Sequence, residues 1–75
     1  LGGVKKIGIA VDDYKLDKFK EELKQRGFND FAVMPGVTKD TRMIRIQVED
    51  EKFLEASEQI RRLCKKMEYH FKRSN

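Results

Sequence analysis

The apolar residues of this 75-residue chain switch period along its length, and that switching limits the fold more than any motif does. Ile7, Ile9 and Val11 recur every second residue, and Leu16, Phe19 and Leu23 recur at helical spacing. Phe31 and Val33, then Ile44, Ile46 and Val48, return to a period of two, while Phe53, Ala56, Ile60 and Leu63 return to the helical one. A period of two lines one face of a strand, and a period near 3.6 lines one face of a helix. The order is therefore strand, helix, strand, strand, helix, which predicts one small α+β sandwich. It spans residues 4–73, with short flexible termini at 1–3 and 74–75. There is no room for a second core.

Punctuation between these segments sharpens the boundaries. Asp12 and Asp13 end the first strand and are expected to cap the first helix. That helix runs from Tyr14 to Arg26, with Lys15, Lys18, Glu21, Glu22 and Lys24 on its wet side. Gly27 supplies a left-handed exit and Phe28 falls where a Schellman motif sets its contact back onto Leu23. Pro35-Gly36 fits a type II turn after a short strand over 31–34. Arg42 to Val48 is the clearest strand, and Asp50 is expected to cap the second helix.

The last segment reads two ways. Met67, Tyr69 and Phe71 alternate with polar neighbours, as in a short fourth strand at a sheet edge. Leu63, Met67 and Phe71 also stand at i, i+4 and i+8, as in a long helix. A helix reaching Phe71 would measure over roughly 30 Å and would overhang strands of about 20 Å. On that length difference the fourth strand over 66–72 is the preferred reading.

Chemistry-bearing constellations are sparse. Cys64 is the lone cysteine and His70 the lone histidine. One of each furnishes no zinc site, and a nucleophile pair would need the chain to fold back between them. Cys64 reads as a small buried hydrophobe, and an unpaired cysteine suits a reducing, cytoplasmic setting. Asp12, Asp13 and Asp17 read as capping and dipole compensation rather than a cation site. Gly36 to Arg42 lacks the second Gly and the Lys-Ser/Thr pair of a phosphate loop. No apolar run approaches the roughly 20 residues of a membrane span, and no signal-peptide pattern opens these residues. No catalytic residue, metal or cofactor is expected, and the chain is not expected to be an enzyme.

Charge is plentiful and uneven, with a formal net of +4. Glu49 to Glu58 carries five acids and one base, whereas Gln59 to Asn75 carries six bases and one acid. Acids at a helix start and bases at its end complement the macrodipole, which explains much of the split. The same bases, Arg61, Arg62, Lys65, Lys66, Lys72 and Arg73, form a candidate surface for a macromolecular partner, nucleic acid included. A second candidate is the open sheet face: Lys6, Gly8 and Ala10 on the first strand, with Met43, Arg45 and Gln47 on the third. It carries no aromatic residue, so the stacking platform of RNA-recognition sheets is missing.

The β-α-β-β-α order resembles the ferredoxin-like fold. Thr38 to Lys52, then Leu54, Ile60 and Leu63, resembles the second half of ACT-type regulatory domains, where a strand of alternating Ile and Val leads through an acidic turn into an amphipathic helix. The resemblance covers about a third of the chain. It implies an antiparallel sheet with two helices on one face and the first and third strands side by side at its centre. It also implies an alternative function, small-molecule sensing as a dimer with a ligand near Val11 to Tyr14. The preferred expectation is a non-enzymatic binding or regulatory module, acting through a sheet edge, by self-association or on a target protein, or through its basic surface.

Overall fold

The computed structural model describes residues 2–74, with side chains over residues 2–71. Strand β1 (Val4–Asp12) passes through a 3-10 turn (Asp13–Lys15) into helix α1 (Leu16–Gln25). Strands β2 (Phe31–Pro35) and β3 (Thr41–Glu49) follow, and a second 3-10 turn (Asp50–Lys52) opens helix α2 (Phe53–Ser74). The sheet order is β1-β3-β2 and both pairings are antiparallel. Of the termini expected to be flexible, Leu1 and Asn75 lie outside the described residues. Gly3 is engaged, accepting a bond from the Asp50 amide at 2.9 Å.

Register follows from the alternation. Ile7 and Phe31 flank Ile46, and Ile9 and Val33 flank Ile44, so the apolar sets of three strands meet on one face. Phe19 and Leu23 of α1 and Ala56, Ile60, Leu63 and Met67 of α2 cover that face, giving a two-layer sandwich. Leu23, Ile44, Ile46 and Leu63 are its fully buried centre. β1 lies beside β3 as expected. With no fourth strand among the described residues, however, it is an edge of the sheet and β3 alone is interior.

Residues 66–72 belong to α2, not to a fourth strand. The overhang vanishes because β1 and β3 each run nine residues. That is about 30 Å of strand, against about 33 Å for the 22 residues of α2. Met67 is 2% exposed, whereas Tyr69, which would share its face in a strand, is 63% exposed. Phe71, one turn beyond Met67, packs at the rim of the core and meets the Tyr14 ring edge-on at 5.6 Å.

The Schellman exit forms as predicted. The Phe28 amide bonds to the Leu23 carbonyl at 2.9 Å, the Gly27 amide to the Lys24 carbonyl at 3.0 Å, and Gly27 has φ +88°. The acidic caps do not form. Asp12 occupies the cap position without a side-chain bond, and its carboxylate pairs with Lys15 at 3.3 Å. Glu49, not Asp50, precedes the second helical stretch, and Asp50 pairs with Lys5 at 3.3 Å. Asp12 thus turns to a lysine instead of the amides, and Asp50 lies one residue past the cap position. Gly36 is not in the left-handed region that a type II turn requires. Its amide bonds to the Thr41 carbonyl at 3.0 Å, and an added Cβ would lie 2.6 Å from the Thr41 backbone carbon, so crowding is what demands glycine here.

Candidate interaction surfaces

Helix α2 sorts its residues by the core. Ala56, Ile60, Leu63 and Met67 point inward, and Arg61, Arg62, Lys65 and Lys66 are all exposed on the outer side. The structure thus brings these four predicted bases together within two turns. Lys72 and Arg73 continue the same helix, but their side chains lie outside the described residues. Arg62 pairs with Glu58 at 3.4 Å and Lys66 with Glu22 at 3.2 Å. Arg61 and Lys65, one turn apart, make no ion pair with any described residue. The macrodipole acts over the last turn of a helix, and residues 61–66 lie well before the end of α2. Dipole compensation therefore accounts for the positions of Lys72 and Arg73 but not for the other four.

The buried end of this surface is an acid that the sequence placed in water. Glu22 is 4% exposed, the one buried charged residue among those described. Its carboxylate takes Arg26 at 2.7 Å, Lys66 at 3.2 Å and Lys18 at 3.3 Å. The Arg26 bond, then that of Lys66, outweighs the effect of burial and holds its pKa down at about 2. Lys18, Glu22 and Arg26 stand four residues apart, so part of the cluster was readable. The contribution of Lys66, 44 residues away, was not. Glu22 ties α1 to the outer side of α2 and fixes the ammonium of Lys66 in place.

The second candidate surface lies on the opposite side of the sheet, which no helix covers. Cross-strand rows set Lys6 beside Gln47, Gly8 and Ala32 on either side of Arg45, and Ala10 and Met34 on either side of Met43. All four predicted residues, Lys6, Met43, Arg45 and Gln47, share this face. Gln47 donates to the Asp30 carboxylate at 3.3 Å. A depression of about 230 Å³ reaches Lys6, Asp30, Met34, Arg45 and Gln47. A Cβ on Gly8 would sit 3.6 Å from the Met43 sulfur, an ordinary contact, so Gly8 simply leaves open floor beside Arg45.

Other candidate chemistry is accounted for by its neighbours. Cys64 is half-buried against the core, and burial raises its thiol pKa. His70 follows it by six residues on the same helix, about 240° around the axis, so the two do not face one another. Asp13 pairs with Arg42 at 3.0 Å, and its amide bonds to the Asp40 carbonyl at 2.8 Å. In the loop after β2 the hydroxyls of Thr38 and Thr41 lie 3.2 Å apart, bonded to each other. Among the described residues no group of three or more His, Cys, Asp or Glu could hold a metal ion. No helix among them is long and apolar enough to cross a membrane. Comparisons with protein-family models, with curated proteins and with solved structures found no match to this chain.

Proposed function

We propose that this chain is a small, non-enzymatic binding module that engages nucleic acid through the outer face of α2. The observation that carries the reading is the pair Arg61 and Lys65, exposed one turn apart and without an ion-pair partner among the described residues. Arg62, paired with Glu58, and Lys66, one of three cations sharing Glu22, flank them. A row of exposed cations one turn apart on a helix suits a phosphate backbone, which binds by charge and releases counterions. The framework is read as a ferredoxin-like sandwich without its closing strand. The β1-β3-β2 order supports this, since it keeps the first and third strands adjacent.

Fluorescence anisotropy with labelled duplex and single-stranded DNA over a salt series tests the proposal. Arg61→Glu with Lys65→Glu is expected to weaken binding about tenfold or more and to flatten the salt slope by about 2, one unit per lost phosphate contact. Unchanged binding at low salt contradicts it. A second reading, small-molecule sensing, draws on a depression of about 270 Å³ that reaches Val11, Asp12 and Lys15, beside the turn where the ACT resemblance places a ligand. Thermal shifts across amino acids and nucleotides test that reading, and no shift with any of them counts against it.

A further inference from the structure

The two edges of the sheet are built differently. In β1 the ladder is bracketed by bonds from the Asp50 amide to the Gly3 carbonyl and from the Asp13 amide to the Asp40 carbonyl. Both involve odd-numbered residues of the β1 side, and the register between them is unbroken. Antiparallel pairs alternate between bonded and non-bonded. The odd residues therefore bond to β3, while Val4, Lys6, Gly8, Ala10 and Asp12 turn N–H and C=O outward. Asp12 uses its C=O to open the 3-10 turn, and the backbone groups of Val4, Lys6, Gly8 and Ala10 make no other bond among the described residues. On β2 the bonds from the Gln47 amide to the Asp30 carbonyl and from the Gly36 amide to the Thr41 carbonyl give the opposite parity. Phe31, Val33 and Pro35 face outward there, and proline offers no N–H. The β2 edge is short and blunted, as solvent-facing edges commonly are, whereas the β1 edge is long, regular and free of proline.

We infer that the β1 edge pairs with the β1 edge of a second copy of this chain, antiparallel about a two-fold axis. The charge order of the strand selects this occupant. β1 begins basic, at Lys5 and Lys6, and ends acidic, at Asp12. Antiparallel self-pairing sets the basic start against the acidic end twice, which a parallel arrangement cannot do. Centring the axis on Ile9 places Lys6 opposite the partner's Asp12 and Ile7 opposite the partner's Val11. Lys6 makes no ion pair with any described residue, and the half-exposed Asp12 carboxylate holds only Lys15. Centring it on Gly8 instead would set Lys6 against the partner's Ala10 and lose both charge pairs. In the Ile9 register Ile7, Ile9 and Val11 fall in non-bonded pairs, where side chains stand closest. The half-buried Ile7 and Ile9 would then continue the core from one copy into the next. This inference stands independently of nucleic-acid binding.

Sedimentation equilibrium of the chain, up to millimolar concentration, tests it. The wild type is expected at about twice its 8.9 kDa mass. Ala10→Pro removes only an outward-facing N–H, so it should be monomeric with an unchanged circular dichroism spectrum. Should that variant unfold, Lys6→Asp replaces it: dissociation about tenfold stronger is expected, with recovery on adding Asp12→Lys. Ile9→Cys in a Cys64→Ser background should form an intermolecular disulfide on mild oxidation, and Gly8→Cys should not. A wild type that stays monomeric, or a folded Ala10→Pro chain that dimerises like the wild type, overturns the inference.

Discussion

The two sides of α2 differ in what their residues are bound to. Ile60, Leu63 and Met67 on the inner side are almost fully excluded from solvent and locked among side chains of the sheet and α1. On the outer side, Arg61 and Lys65 touch no acid among the described residues and stand in water. Neighbours in sequence thus have separable duties: one set holds the fold together, and the other is free for a partner. Glu22 links the two sides, because it is buried with the core yet grips Lys66 on the wet side.

That contrast is most easily broken at the core. Leu63→Ala should cost about 2–5 kcal/mol in urea unfolding, without changing nucleic-acid affinity under conditions where the variant stays folded. A parallel loss of affinity there would show that the two sides are not separable. Met67→Ser should destabilise by about 2 kcal/mol or more, whereas Tyr69→Ser should change stability by about 0.5 kcal/mol or less. Equal effects at the two positions would restore the strand reading of this segment.

Glu22 gives the next effect in size. Glu22→Gln keeps the shape but removes the charge that three cations share, at a cost of about 1–3 kcal/mol. The pH dependence has a definite sign. The carboxyl sits at about 2 when folded, against an ordinary value of 4.5. Its contribution is complete above pH 4.5 and drains away as pH falls from 4.5 towards 2. Urea midpoints should therefore fall more steeply below pH 4.5 in the wild type than in Glu22→Gln. Parallel curves would mean the cluster adds nothing. Lys66→Met removes the exposed member of the cluster and should cost only about 0.5–1 kcal/mol.

The smallest stability effect belongs to the outer side. Arg61→Glu with Lys65→Glu should leave stability within about 0.5 kcal/mol.

Periodicity carried most of the fold, because alternation and helical spacing are local and the core reads them directly. Ile7, Ile9, Ile44, Ile46 and Val48 announced their face, and Gly27-Phe28 announced its exit. The C-terminal segment was misjudged because Met67, Tyr69 and Phe71 satisfy both periods. The choice rested on a strand length of about 20 Å, whereas β1 and β3 run nine residues each, about 30 Å. Asp50 is drawn off by Lys5, far away in sequence, and Asp12 by Lys15, a local competitor three residues on that a capping rule does not weigh. Glu22 was placed in water since only its own helix was legible, and burial came from packing against α2. The basic residues were visible as composition. Which of them stand unpaired became visible only when Glu58 and Glu22 were seen to occupy Arg62 and Lys66.

The most direct test measures stability and duplex affinity on the same preparation of Arg61→Glu with Lys65→Glu. The account predicts a Tm within about 4 °C of the wild type together with an affinity loss of about tenfold or more at low salt. A Tm that collapses along with the affinity, or an affinity that does not move, would contradict it.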